Sequence, residues 1–338
     1  MANEEGGSAL KKSAASKDAW ALGALPSLGI VLGIGACLLA LGLGGALPAN
    51  GMRYLFQIFL YITLGEAWNL LGGYAGLTSL GQQLFIGLSG YAIAVVTGTY
   101  RLPLWLGVLA GALLCALGAY LLSFVLFRMH GMYFAVATWV AAEAMSMFFF
   151  SWKYVNQGGG MTMRISPYPT IHQLYPLALI LCCLALTCVT LLLRSRLGLS
   201  LMAMRDDPEA AAAAGVNLRK SRLIAYLASA VLTALAGGLF FVNQGTIYPD
   251  SGFQITWTVS MVFIVIIGGS GTVGGPVVGA VVYVLLREYL AAYPGWSNII
   301  LGAVTILVIL FLPAGIVGTM QTRMKFELFS QRRHPKPE

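Results

Sequence analysis

Charge is scarce in this chain. Only 9% of its 338 residues are Asp, Glu, Lys or Arg, whereas 58% are apolar. A soluble globular domain carries about a quarter charged residues, so an ordinary water-soluble fold is excluded. Chemistry-bearing groups are scarce as well. The five cysteines (Cys37, Cys115, Cys182, Cys183, Cys188) all lie inside apolar runs without metal-ligand spacing and read as small core residues. No Ser/His/Asp arrangement or metal-ligand cluster points to catalysis, and His130 beside Arg128 reads as an interfacial residue. No G-x-x-x-x-G-K-[ST] stretch occurs, so the chain holds no ATP in a P-loop. Gly269-Ser-Gly271-Thr-Val-Gly274 does satisfy G-x-G-x-x-G, and Glu288 follows at a suitable distance. A dinucleotide fingerprint needs a soluble strand–turn–helix unit, however, and both flanks here are membrane-length apolar runs.

Long oily segments are what the chain has in abundance, with a mean hydropathy of +0.81. Ten can be marked, at 22–47, 54–71, 84–99, 103–127, 131–151, 173–193, 223–243, 253–268, 275–291 and 297–317. A bilayer core takes ~20 apolar residues per helix. The expected fold is therefore an all-α polytopic membrane protein of about ten transmembrane segments, several of them short or glycine-broken. Residues 1–19 read as a polar cytoplasmic tail before the first span, not a cleaved signal. The membrane domain spans 20–320 with a cytoplasmic loop at 194–222, and 321–338 form a basic cytoplasmic tail. Orientation follows from Lys and Arg counted at alternate ends. With the N-terminus inside, fifteen of the 20 basic residues fall on the cytoplasmic side and five outside. Both termini are then cytoplasmic, and 253–291 must be two short spans, because one broken span would place the basic tail outside. The net charge of +8 thus reflects topology, with membrane lipid and not nucleic acid as its partner.

The 194–222 loop holds an unusual concentration of signals. Arg205, Asp206, Asp207 and Glu209 put four charges within five positions, and seven lie between Arg205 and Arg222. Asp207 suits an N-cap, Pro208 the first helical position, and Asp206 and Glu209 the positive end of the helix dipole. Ala210 to Ala214 propagate the helix, and Gly215 suits a left-handed stop. A helix of this length is ~10 Å long, and helices under ~12–15 residues are marginal alone in water. Either it docks on something or it is a solvated connector.

Within the apolar runs, glycines and a few polar residues stand out. Gly72-Gly73 to Gly81 interrupts one pair of runs, and Gly268, Gly269 and Gly271 begin a second interruption that ends at Gly279. Paired glycine-broken segments point to a conduction or binding path, and close helix packing through small residues accounts for them equally. Thr78, Ser79 and Gln82 lie in the first interruption. Glu66 and Asn69 share one helical face, and Glu143 sits in the middle of the fifth segment. Intramembrane acids are costly and face a bundle interior or cavity. They line a path or satisfy a buried group on a neighbouring helix.

Four stretches resemble a known family. Glu209-Ala210-Ala211-x-x-x-Gly215 is similar to the E-A-A-x-x-x-G loop of binding-protein-dependent ABC importers. "NLLGGYAGLTSLGQQLFIGLSGYAIAVV" (Asn69–Val96), "GMYFAVATWVAAEAM" (Gly131–Met145) and "VIIGGSGTVGGPVVGAVV" (Val265–Val282) resemble segments of LivM-type branched-chain amino-acid permeases. The similarity runs over about residues 54–315. Gln82 is a departure, since the family commonly has histidine after Ser-Leu-Gly. The resemblance implies a permease domain in a bacterial inner membrane, carrying branched-chain or related amino acids. Urea, short amides or another small solute remain alternatives, as does an ATPase-independent carrier. It further implies a second related permease, two cytoplasmic ATPase subunits and an external substrate-binding protein. Residues 205–211 and Gly215 would then couple the chain to the ATPases. The chain itself would bind no cofactor; ATP and Mg²⁺ would be used by the partners.

Overall fold

The computed structural model describes residues 25–44, 47–290, 294–312 and 314–324. The polar tail 1–19 and the basic tail beyond Met324 lie outside the described residues. Each of the ten apolar segments holds a helix: α1 (Leu25–Leu43), α2 (Ala49–Asn69), α3 (Gln83–Ala94), α4 (Leu104–Leu126), α5 (Met132–Ser151), α6 (Ile171–Arg194), α9 (Leu218–Gln244), α11 (Thr256–Gly268), α12 (Gly274–Leu290) and α13 (Pro294–Phe311). Between α6 and α9 lie α7 (Arg196–Asp206) and α8 (Pro208–Ala213); α10 (Pro249–Gly252) precedes α11, and α14 (Gly315–Met324) closes the described chain. Single π-turns extend α2 over Leu70–Tyr74 and α3 over Val95–Thr99. Among the described residues, five helical stretches are long and apolar enough to cross a membrane: α4, α5, α6, α9 and the Pro249–Gly268 stretch of α10 and α11.

The packing is that of a bundle turned outward to oil. On α4, Gly107, Gly111, Cys115, Ala119 and Ser123 are buried at four-residue spacing. Leu109, Leu113, Leu117 and Leu121 stand exposed on another face. Small residues face the neighbouring helices and large apolar ones face away, as bilayer-embedded helices pack. Helix α2 is the hub, buried almost continuously from Phe59 to Leu71 and packed on α6, α9, α11 and α12. Cys115 and Cys182 are buried, whereas Cys37 and Cys188 are exposed on the apolar surface.

The connections sort to two ends. A two-stranded antiparallel ribbon, β1 (Met161–Thr162) with β2 (Thr246–Ile247), ties the α5–α6 and α9–α11 connections together at one end. At the other end, α7 contacts the Leu70–Tyr74 turn, so the α2–α3 connection and the 195–217 segment are neighbours there.

Candidate functional site

The 194–222 segment is more helical than its charge content suggests. Ser195 Oγ accepts from the Leu197 N–H at 3.2 Å and caps α7. The buried faces of Leu201 and Met204 dock α7 onto the bundle. The sequence signal for α7 was an N-capping serine before apolar residues at 197, 201 and 204, and it is local enough to have been readable. Helix α8 follows at once. Asp207 Oδ1 accepts from the N–H groups of Glu209 (2.9 Å) and Ala210 (3.0 Å), Pro208 occupies the first turn, and Gly215 adopts φ +84°. The Val216 N–H then reaches the Ala211 carbonyl at 3.0 Å, closing the stop. Of α8 only Ala211 is buried; Pro208, Glu209, Ala210, Ala212 and Ala213 are exposed. A Cβ on Gly215 would meet nothing within 4 Å, so this glycine answers a backbone requirement alone.

Arg205, the penultimate residue of α7, links this exposed helix to both glycine-broken segments. Its Nη1 donates to the Gly73 carbonyl at 2.9 Å, in the π-turn that ends α2. A Cβ on Gly271 would lie 3.2 Å from the same nitrogen, which places the second interruption alongside. Nε and Nη2 both donate to Asp206 Oδ1 at 3.1 Å. With the two side chains 40% and 69% exposed, that ion pair orients the guanidinium more than it stabilises the fold. Asn69 completes the junction: its Oδ1 accepts from the Gly271 N–H at 2.9 Å, and its Nδ2 donates to the Thr272 carbonyl at 3.0 Å. The approach is close because Gly73 has no side chain; a Cβ there would sit 2.0 Å from Asn69 Oδ1 and 2.7 Å from the Gly271 nitrogen. Gly268 packs in the same way, its missing Cβ falling 1.8 Å from the Gly275 carbonyl oxygen. The two interruptions therefore meet each other, and Arg205 reaches both.

The other polar candidates are dispersed. Gln82 is fully buried: Nε2 donates to Ser229 Oγ at 3.2 Å, Oε1 accepts from Thr233 Oγ1 at 3.1 Å, and Ser229 passes on a bond of 2.6 Å to the Ala67 carbonyl. It bridges α2, α3 and α9. The Ser79 carbonyl accepts from Trp68 Nε1 at 2.9 Å, whereas Thr78 is exposed at the surface of the same turn. Glu66 is 0% exposed, and no hydrogen bond reaches either carboxyl oxygen among the described residues. Glu143 is exposed on α5, away from Glu66 and the junction.

One feature went unseen in the sequence. At the ribbon end, α2, α9, α11 and α12 line an open cavity of about 490 Å³. Buried Tyr61, Trp257 and Tyr283 form its wall, with ring centroids 6.3 Å apart for Tyr61–Trp257 and 4.9 Å for Tyr61–Tyr283. The exposed Arg287 is the charged residue of the lining and donates to the Tyr61 hydroxyl. Tyr61 and Arg287 lie 226 residues apart, so no local pattern announces the pair.

The geometry can be set beside known proteins. The family described as "Branched-chain amino acid transport system / permease component" matches residues 50–309. The high-affinity branched-chain amino acid transport system permease protein LivM of Escherichia coli (strain K12) is 27% identical over 299 residues, covering 79% of this chain and 70% of the relative. The permease protein LivH of the same transport system and organism is 28% identical over 138 residues, 40% of this chain and 44% of the relative. A fructose import permease protein, FrcC of Rhizobium meliloti, is 31% identical over 124 residues, 34% of each chain. No solved structure gives a significant match.

Proposed function

This chain belongs to the branched-chain amino acid transport system / permease component family, and from that premise we propose that it works as one of two permease subunits in an ATP-driven importer. It is a multi-pass membrane protein and a transport subunit, as its apolar helices and permease relatives indicate. The finer reading is that it crosses a bacterial inner membrane about ten times, with the α7–α8 end in the cytoplasm and the ribbon end outside. The fifteen-to-five distribution of basic residues supports that orientation. A branched-chain or related amino acid is the proposed cargo, because the relatives covering most of the chain carry that description. A second related permease, two cytoplasmic ATPase subunits and an external binding protein complete the assembly, with ATP and Mg²⁺ held by the ATPases.

The observation that carries this reading is the Arg205 tie. An exposed, well-capped helix too short to persist alone suits a groove on another protein. Directly behind it, Arg205 holds the junction where α2 and α11 break. Movement of an ATPase against α8 passes through α7 to Gly73 and Gly271, and from there along α2, α11 and α12. Of the remaining candidates, the buried Glu66 has the better claim to the path, since it lies one turn before Asn69 on the hub helix. Glu143 on its exposed face suits contact with another subunit.

The test is purification of the chain from its own membranes in mild detergent, followed by uptake in proteoliposomes with the partners recovered. Co-purification of an ABC ATPase and a second permease, with leucine uptake dependent on ATP, is the expected result. Uptake by the chain alone without ATP would establish an ATPase-independent carrier instead.

A further inference from the structure

The cavity at the ribbon end has no part in the coupling junction, yet its chemistry is selective. At about 490 Å³ it falls within the ~300–1,000 Å³ of small-molecule sites. Its floor is buried and aromatic: Tyr61 is 3%, Tyr283 4% and Trp257 7% exposed. Its mouth is polar, formed by the exposed side chains of Gln244, Gln254 and Arg287. Among the described residues, none that lines it is acidic. Arg287 has no carboxylate partner among the described residues, where Arg205–Asp206 is the ion pair found. The adjacent Glu288 accepts from the Tyr54 hydroxyl at 3.0 Å.

Arg287 is nonetheless held in place. It donates to the Tyr61 hydroxyl, its guanidinium carbon stands 5.8 Å from the centre of that ring, and the ring is braced by Tyr283 and Trp257. Ser260 Oγ and the Tyr283 hydroxyl share a 2.6 Å hydrogen bond, and Trp257 Nε1 donates to the Ser251 carbonyl at 2.8 Å. The walls are thus fixed by bonds among themselves, while further N–H donors of a planar, permanently charged fork remain for a ligand. A pre-positioned guanidinium beside tyrosine and tryptophan rings in a largely polar pocket matches the carboxylate of a small zwitterion whose side chain can lie against a ring.

We propose that this cavity is an amino-acid site belonging to the permease chain itself. Arg287 takes the α-carboxylate, the side-chain oxygens of Gln244 and Gln254 with the neighbouring ring faces take the ammonium group, and an aliphatic side chain lies against Trp257. The choice of an amino acid as ligand rests on the importer reading; the preference for a carboxylate rests on Arg287 alone. With the ribbon end outside, the site would receive substrate on its way to the junction.

The full chain is placed in lipid nanodiscs without binding protein or ATP, and tryptophan fluorescence is followed during titration with three probes. L-leucine and 4-methylpentanoate, which keep the carboxylate, are expected to saturate; isopentylamine, which lacks it, is not. Arg287→Gln should weaken leucine binding about ten-fold or more, and Arg287→Lys should restore part of the loss. No saturable leucine signal, equal binding of the amine and the acid, or unchanged affinity in a folded Arg287→Gln chain would overturn the site. The comparison of probes on the unaltered chain decides even where the variants fail to fold. Failure is also separable from failure of the importer reading. A chain that assembles with its ATPase and imports, yet binds no leucine here, loses this site and keeps that function; a chain that binds leucine but recruits no ATPase does the reverse.

Discussion

The two ends of α2, α11 and α12 are built on opposite plans. At the α7–α8 end they meet backbone to backbone. Gly73, Gly268 and Gly271 remove the side chains from the contact, and Asn69 and Arg205 satisfy the carbonyls and N–H groups left by the broken helices. At the ribbon end the same helices meet through side chains, by aromatic rings, the Ser260–Tyr283 hydrogen bond and one guanidinium beside open volume. Tyr61 and Asn69 are eight residues apart on α2, about 12 Å of helix. A close-packed junction has no slack and passes a displacement on, whereas the ribbon-end cleft, its walls held by their own hydrogen bonds, leaves open volume for a solute. Under the proposed function, force transmission falls to the first end and solute contact to the second.

The contrast breaks outright if both ends face the same side of the membrane. In an otherwise cysteine-free chain, Asp250→Cys is expected to react with an impermeant thiol reagent in intact cells. Arg219→Cys should react only after the cells are opened, and both positions are exposed in the structure. Labelling of position 219 in intact cells would invert the arrangement. The next largest effect belongs to Gly73→Ala. Its Cβ has no room beside Asn69 and Gly271, and such overpacking costs about 1–3 kcal/mol or more. Thermal unfolding in detergent should fall markedly and uptake should be lost; a normal melting temperature would show the junction to be loose.

Asn69→Ala sharpens the same point less severely. It removes two part-buried hydrogen bonds, to the Gly271 N–H and the Thr272 carbonyl, which water can partly replace, so each costs about 1 kcal/mol net, as a typical hydrogen bond does. A measurable fall in melting temperature, smaller than that of Gly73→Ala, is the expected outcome. Gly215→Ala should be mildest for the bundle. Its Cβ meets nothing, and only the left-handed φ is penalised, by about 1–2 kcal/mol within α8. Spans should melt as before while recovery of the ATPase declines; an unchanged ATPase yield would mean that the α8 stop has no bearing on docking.

What was legible in the sequence was local. Asp207, Pro208 and Gly215 announce α8 because caps and stops act on adjacent residues, and the structure places all three in those roles. The glycine segments were visible as interruptions, but their meeting was not: Asn69 and Gly271 are 202 residues apart, and which breaks touch depends on how the helices pack. Close packing, one of the two readings the glycines allowed, describes Gly268 and Gly73 directly. Glu143 illustrates a different gap. Helix α5 is apolar on all sides, so no periodicity distinguishes its buried face from its exposed one, and the acid lies on the exposed face. The cavity escaped notice because aromatic residues and one arginine in four separate segments look unremarkable until the bundle assembles them.

The central claim is that Arg205 carries motion from α8 into the junction, and the number of ATP molecules hydrolysed per leucine taken up tests it most directly. With Arg205→Gln in the assembled importer, the Gly73 carbonyl loses its charged donor while α8, its caps and its exposed face remain. The account predicts that the ATPase still co-purifies and hydrolyses ATP, but that more ATP is consumed per leucine than in the unaltered importer. An unchanged ratio at normal uptake would contradict it.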